Sequence, residues 1–329
     1  MTPSRGRKIA GSHCAPAPVQ SCMLRYVGQR LIGAIPVLWG VATLVFVVMR
    51  LLPGDPAALM LSEGGASAEA IAALRADLGL DDPLAVQYGR YLCSLLRGDL
   101  GTSLFSHRPV VAIIAEQLPS TIELAMAAMI VATSVGTVLG MVAAVKRGTW
   151  LDALAMALSV TGVSLPIFWS ALLLIWLLSL QLGWLPATGQ GGPVHLVMPA
   201  LVLGFASSGA IARLVRASLL EVLNQDYITT ARAKGLGESP LLLRHALKNA
   251  LIPVTTVIGL QFSFLLGGTV VTETIFSRPG IGRLMVSATL WKDFPVVQGV
   301  VLLAALVYTL INLSVDVAYA YLDPRIRYD

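Results

Sequence analysis

The sequence has 329 residues, of which 56% are apolar and only 12% are charged, and its mean hydropathy is +0.77. Soluble domains carry about 25% charged residues, so this chain lacks the polar side chains that would cover a water-exposed surface. These values exclude an ordinary cytosolic enzyme, a disordered protein and a small disulfide scaffold, and they indicate a polytopic membrane protein. The net charge of +5 comes from cations scattered between apolar stretches, which indicates membrane topology and not nucleic-acid binding.

The N-terminal part predicts a tail followed by one membrane helix. Residues 1–22 are rich in Pro, Ser and Arg and predict a disordered cytoplasmic tail, and either Met1 or Met23 fits as the start of translation. Residues 23–52 contain an apolar stretch long enough to cross a hydrocarbon core of about 30 Å. No small-x-small cleavage site follows, so we interpret this stretch as an anchor and not as a cleavable signal.

Residues 53–117 are too long for a simple turn and predict an extracytoplasmic helical subdomain. Ser67 can cap a helix with one apolar face, and Gly79 can end it. Asp82-Pro83 then begins a second helix. The alternative is a spacer without its own fold, which the amphipathic pattern disfavours.

Residues 118–320 contain five further apolar stretches. The corresponding helices are predicted at about 119–145, 153–182, 195–216, 250–275 and 294–320. Pro166 is expected to kink the third helix, and Gly136 and Gly140 predict close packing of the second. The predicted fold class is an all-α polytopic membrane protein with six transmembrane helices and an extracytoplasmic subdomain between the first two.

The distribution of Lys and Arg predicts the orientation. Most cations lie in the N-terminal tail, at Lys146 and Arg147, between residues 213 and 248, and in the C-terminal segment 321–329. All of these segments fall on the same side of the six helices. Both tails are therefore predicted to be cytoplasmic.

The cytoplasmic segment 217–249 predicts two short helices. Asp226 is expected to cap the first, Gly235 to end it, and Ser239 to cap the second. Ala231 leaves room for another protein to approach closely. From the spacing alone, a protein-docking site and an amphipathic hairpin lying on lipid are equally good interpretations.

This segment resembles the EAA loop of ABC-importer permeases, in the form found in the peptide and nickel subfamily. The similar run extends from Asp226 to Pro253, with Thr229 and Thr230 at positions where the general pattern has Glu and Ala. Four other motifs agree with the subfamily: Leu52–Pro56, Gly98–Ser103, Phe276–Leu284 and Asp323–Tyr328. The resemblance covers about residues 23–329.

The resemblance implies a type I ABC importer in the bacterial plasma (inner) membrane. This chain and a second homologous permease would form the pathway in the lipid, and an extracytoplasmic binding protein would deliver the solute. Two cytoplasmic ABC ATPase subunits would dock on the loops and carry ATP and Mg. The chain has no G-x-x-x-x-G-K-[ST] motif, so it is expected to bind no cofactor and not to be an enzyme. Di- and oligopeptides are the first solutes implied, then glutathione, then nickel chelates.

The site residues carried by the resemblance fall into groups. ATPase coupling is expected from Tyr227, Thr229, Thr230, Ala231, Arg232, Ala233, Lys234, Gly235 and Leu236. A loop facing the binding protein or forming a gate is expected from Arg278, Pro279, Gly280 and Gly282. The residues expected to line the pathway, from their polarity or their place at the kink, are Ser164, Pro166, Gln261, Ser263 and Thr269. No metal site is predicted, since the histidines are isolated.

Three acids in or near the spans, Glu123, Glu273 and Asp316, leave structural and functional interpretations open. Water is expected to reach Glu123 and Glu273, and Asp316 is expected to bond across helices. A secondary carrier is the alternative function, although no inverted repeat is evident.

Overall fold

The computed structural model describes residues 19–51, 57–58, 67–77 and 79–322. Most of the two predicted tails lies outside these ranges, as does the Leu52–Pro56 motif. The first helix begins at Val19, within the segment predicted as a disordered tail. The side chains described in the last helix end at Ser314, so the prediction for Asp316 falls outside them.

The described residues form helices, which agrees with the predicted fold class. They are α1 (Val19–Leu51), α2 (Ala68–Asp77), α3 (Leu84–Leu96), α4 (Val110–Val145), α5 (Trp150–Ser164), α6 (Ile167–Leu174, continued in π geometry over Ile175–Gln181), α7 (Val194–Leu223), α8 (Asp226–Ala233), α9 (Glu238–Pro240, Leu241–Ala246 in π geometry and Leu247–Ala250), α10 (Ile252–Ile275), α11 (Ile281–Leu290) and α12 (Phe294–Leu322).

Five of these helices contain segments long and apolar enough to cross a membrane, namely Ile32–Leu51, Val110–Val145, Val194–Leu223, Ile252–Ile275 and Phe294–Ser314. The pair α5 and α6 makes a sixth apolar segment, but the two helices meet at an angle of 106°. The predicted kink at Pro166 is confirmed, but the two parts do not form the single helix predicted over 153–182. Leu165 precedes Pro166 and takes an extended conformation with ψ 129°, because the proline ring disfavours helical geometry in the residue before it.

The helix α4 begins at Val110, earlier than predicted, and continues through the expected boundary at residue 117. Its 36 residues correspond to a length of about 54 Å at 1.5 Å per residue, well beyond the hydrocarbon core. The helix α7 similarly extends to Leu223, beyond the predicted end near residue 216. Both helices therefore connect the apolar layer to structure outside it.

Small residues bring α4, α5 and α7 into close contact. A Cβ on Gly136 would lie 2.8 Å from the Ser208 carbonyl oxygen, and one on Gly140 would lie 2.5 Å from that of Ala212. These distances confirm the close packing predicted from the G-x-x-x-G pair. On the other face of α7, Gly209 approaches the backbone of α5 in the same way.

Among the described residues between α1 and α4, α2 has its predicted N-terminal cap, and Ser103 contacts the residue just before α12. Ser67 Oγ accepts a hydrogen bond from the Ala70 amide at 3.3 Å, so it caps α2 as predicted, and Gly79 follows α2 with φ +62°. The Ser103 hydroxyl donates to Asp293 Oδ2 at 2.5 Å, just before α12. This bond is buried and joins residues far apart in the sequence.

Candidate coupling helix and gate loop

The helices α8 and α9 pack against the ends of α4 and α7. Their shared apolar cluster contains Ala144, Leu219, Ile228, Leu241, Ala246 and Ala250, all of which are buried. We name this end of the molecule the basic end, defined by Lys146, Arg147, Arg216 and α8–α9. Ile228 is the buried anchor of α8, so the opposite side of this short helix faces outward.

The nine predicted coupling residues lie on α8 and its C-terminal turn. Ala231 is half-buried, and the other eight are exposed. The two predicted capping side chains are wrong in detail. Gln225 and Gly237 occupy the N-cap positions, which puts Asp226 and Ser239 inside the helices. Asp226 still suits the first turn, because a negative charge there complements the helix dipole.

A glycine with positive φ ends α8, as the sequence predicts. Gly235 has φ +83° and its amide donates to the Arg232 carbonyl at 3.0 Å. The Leu236 amide donates to the Ala231 carbonyl at 3.2 Å. This pair of bonds is a Schellman motif, which requires a left-handed residue at the turn. No atom outside the neighbouring residues lies within 4 Å of an ideal Cβ at Gly235, so the turn is open.

Two side-chain links connect α8 to α9. Arg232 donates to Glu238 through Nε at 2.7 Å and Nη2 at 3.2 Å, and Asn249 Nδ2 donates to Tyr227 Oη at 2.8 Å. Hydrogen bonds from the Arg232 guanidinium lower the pKa of Glu238. Arg232 is one of the residues expected to couple to the ATPase, and in this structure its carboxylate partner, Glu238, is in the same chain.

A second ion pair at the basic end was not predicted. Arg216 Nε and Nη2 donate to Asp152 Oδ1 and Oδ2, both at 2.8 Å, which joins α7 to the first turn of α5. The Gly148 amide also donates to Asp152 at 3.1 Å. The two side chains are 64 residues apart, so only their placement at the same end of the bundle could have suggested the pair.

At the opposite end of the bundle, the Glu273 carboxylate is fully buried. Thr121 Oγ1 donates to its Oε1 at 2.7 Å, and the amides of Gly282 and Arg283 donate to its Oε2 at 2.8 and 3.1 Å. Thr121 Oγ1 also accepts from the Ile281 amide at 2.8 Å. The expectation that water reaches Glu273 is therefore wrong, because α4 and the first turn of α11 supply its hydrogen bonds.

The residues predicted to face a binding protein mostly pack inward. Arg278 is 2% exposed and forms an ion pair with Glu123, whose side chain is 52% exposed, as expected for a residue that water reaches. A Cβ on Gly280 would lie 2.3 Å from the Glu273 carboxyl carbon, and one on Gly282 would lie 2.4 Å from Val270 Cα. The expected contact surface of the loop must therefore come from its other residues.

Ser277 and Arg283 are the exposed residues of this loop that sequence reasoning missed. Arg283 Nη1 donates to the Ser277 carbonyl at 2.7 Å, and Ser277 has φ +49°. Positive charge and an exposed backbone turn are thus presented together beside the half-buried Pro279.

The five predicted pathway residues do not form one cluster. Ser164 and Pro166 are exposed at the bend between α5 and α6. Gln261 donates from Nε2 to the Ser207 carbonyl at 3.0 Å, which ties α10 to α7. Ser263 and Thr269 line a cavity of about 330 Å³ between α4, α10, α11 and α12, and Thr121 also lines this cavity. Within the described ranges, no group of three or more His, Cys, Asp or Glu residues is arranged to hold a metal ion.

Comparison with known proteins gives consistent matches over most of the chain. Residues 136–328 match the family model described as binding-protein-dependent transport system inner membrane component, and residues 23–125 match the model of its N-terminal part. The glutathione transport system permease protein GsiC of Salmonella paratyphi A is 49% identical over 306 residues, covering 93% of this chain and 100% of that protein. The dipeptide transport system permease protein DppB of Alkalihalophilus pseudofirmus is 45% identical over 334 residues, with the same coverage of each.

A solved structure with a similar fold is a chain of the MetNI methionine ABC transporter in an inward-facing conformation. The TM-score is 0.56 at 18% sequence identity, over 65% of this chain and 97% of that chain. This likeness concerns the helical fold alone.

Proposed function

Since the chain belongs to the family of binding-protein-dependent transport system inner membrane components and is the permease subunit of an ABC importer, we propose that its solutes are small peptides, including dipeptides and glutathione. The observation that carries this proposal is the extent of the similarity. Relatives named for glutathione and dipeptide transport align over their whole length and over 93% of this chain.

The basic end is the proposed cytoplasmic docking surface for one of the two ATPase subunits. The other ATPase subunit would dock on the second permease chain. The buried anchor Ile228 and the two links to α9 hold α8 as a rigid projection, and its other side is exposed. Helix α8 is short and is followed by an open glycine turn, which suits insertion into a groove. ATP and Mg would bind to the partner subunits, and this chain would contribute α8, the helix on which the ATPase acts.

The gate loop, which we define as residues 276–284 at the opposite end, is the proposed extracytoplasmic surface that meets the solute-binding protein. Ser277, Pro279 and Arg283 are its accessible residues. The pathway would form between this chain and a homologous second permease. Nucleotide-driven closure of the ATPases would move α8–α9 and open that pathway outward, and hydrolysis would reset it.

Solute uptake by cells that lack and then regain this chain tests the proposal. Labelled dipeptide, glutathione and nickel chelate are supplied separately, with uptake measured in each case. Uptake of dipeptide or glutathione is expected to depend on the chain and to stop when the partner ATPase loses its P-loop lysine. Uptake of nickel chelate alone would contradict the solute class, and uptake that persists without ATP would support a secondary carrier.

A further inference from the structure

We propose that Glu273 and Thr121 form a clasp through which α10 transmits movement of the coupling helices to the gate loop. The clasp is defined as the Glu273 carboxylate, the Thr121 hydroxyl and the amides of residues 281–283. This inference rests on the proposed coupling role of α8–α9. It concerns positioning residues, because the hydrogen bonds of Thr121 and Glu273 go to each other and to the amides of residues 281–283.

One end of α10 is continuous with the coupling helices. A single residue, Leu251, separates α9 from α10, and hydrogen bonds continue through it: Leu251 N donates to the Leu247 carbonyl at 2.9 Å, and Thr255 N donates to the Leu251 carbonyl at 3.0 Å. From Ile252 to Glu273 the helix rises about 30 Å at 1.5 Å per residue. A displacement of α9 is therefore expected to move α10 with it, the two helices acting as one rigid body.

The clasp lies at the C-terminal end of α10. Glu273 lies in the last turn of α10, and its carboxylate binds the first amides of α11, which are donors without partners inside that helix. A negative charge at this position is favoured by the helix dipole. Thr121 adds α4 to the assembly, since its hydroxyl donates to Glu273 and accepts from the Ile281 amide.

The packing around the clasp leaves little freedom for slippage. Gly280 and Gly282 bring the loop backbone so close to Glu273 and Val270 that a Cβ would overlap with either. The Arg278 amide also donates to the Glu273 carbonyl at 2.9 Å, so the loop is attached to both the side chain and the backbone of this residue. Movement of the α10 terminus must therefore carry the first turn of α11 with it.

A set of threonine variants tests the clasp in the purified importer, reconstituted with its binding protein and solute. T121V keeps the side-chain shape but removes both hydroxyl hydrogen bonds, whereas T121S keeps the hydroxyl. T274V is the matched control, since Thr274 is exposed on α10 and its hydroxyl donates within that helix, to the Val270 carbonyl. Basal and binding-protein-stimulated ATPase rates are measured for each, together with the amount of assembled complex.

We expect T121V to keep its basal ATPase rate and to lose binding-protein stimulation by about tenfold, within the usual range of coupling between sites. T121S and T274V are expected to match the wild type. Normal stimulation in T121V would overturn the clasp while leaving the proposed function intact. Absence of stimulation in the wild type would instead count against the proposed function.

If T121V assembles poorly, E273Q provides a second test of the clasp. The movement of the gate loop is then followed by a spin label at the exposed position 277. In otherwise wild-type chain, trapping the ATPases with nucleotide is expected to change the mobility of the label. In E273Q the change is expected to be reduced, since a glutamine amide has one accepting oxygen and its NH2 group can only donate, so one of the two oxygen positions loses its hydrogen bonds. An unchanged response in E273Q would contradict transmission through the clasp.

Discussion

Gly235 has a single task, which its backbone angle defines. At φ +83° it closes α8 through a Schellman motif, and its open surroundings mean that no contact within the described chain requires the absence of a side chain. Any requirement for a small residue beyond the backbone angle must come from a partner. The local fold thus requires only the backbone angle, whereas docking of a partner would require the absence of a side chain. Gly235 therefore allows a separation of these two requirements.

The pair of variants G235V and G235N exploits this separation. A left-handed conformation costs about 1–2 kcal/mol for most residues, whereas asparagine adopts it more readily. We expect G235V to lower solute uptake by about tenfold, the equivalent of 1.4 kcal/mol, and G235N to lower it less. Uptake is compared at equal amounts of chain in the membrane. Wild-type uptake in G235V would contradict docking of the ATPase at this turn.

The link between Arg232 and Glu238 predicts a pH dependence of the coupling helices. Because hydrogen bonds from Arg232 lower the pKa of Glu238, the link stabilises the α8–α9 pair above the ordinary pKa of glutamate and is lost as pH falls through the lowered value. A spin label at position 233 is expected to keep constant mobility from roughly pH 8 to pH 5, because both groups stay charged there. In E238Q the label is expected to be more mobile throughout this range, and equal mobility would show that the link contributes nothing.

At the scale of elements, glycine spacing decides how closely the long helices approach. Gly136 and Gly140 lie against the α7 backbone, while Gly267 of α10 has no neighbouring atom within 4 Å of its ideal Cβ. Glycine thus allows close helix packing in α4, whereas Gly267 in α10 makes no such contact.

The variants G140A and G267A test this difference. Alanine at 140 would place a methyl group 2.5 Å from the Ala212 carbonyl oxygen, and overpacking of this kind costs about 1–3 kcal/mol. Alanine at 267 meets no atom and is favoured in a helix by about 0.5–1 kcal/mol. Thermal unfolding in detergent is expected to occur at lower temperature in G140A and at an unchanged or higher temperature in G267A. The reverse order would contradict the packing of α4 on α7.

The elements that sequence predicts best are those whose signal is local. Apolar length located the spans, Pro166 located the break after α5, and Gly235 located the end of α8. The sharpness of the bend between α5 and α6 was underestimated. The sequence shows that Leu165 cannot easily be helical before a proline, but it does not show in which direction the chain continues. The clasp was missed because Thr121 and Glu273 are 152 residues apart and meet only when α4 packs beside α10.

At the scale of the whole molecule, the two ends of the bundle have different chemistry. At the basic end, the exposed helices α8 and α9 pack on a buried apolar cluster, whereas the opposite end buries the Glu273 carboxylate beneath a partly exposed loop. The helices α4 and α10 extend between these ends. This arrangement suits a permease that receives energy at one surface and solute at the other.

As the permease subunit of an ABC importer, this chain is expected to work only together with its partner subunits. The most direct measurement is gentle affinity purification of the chain from its native membrane, with identification of the proteins that accompany it and an assay of uptake in vesicles. We expect recovery of a P-loop ATPase, a second homologous permease and a secreted binding protein, with uptake that requires ATP. Recovery of the chain alone, together with solute uptake in the absence of ATP, would contradict it.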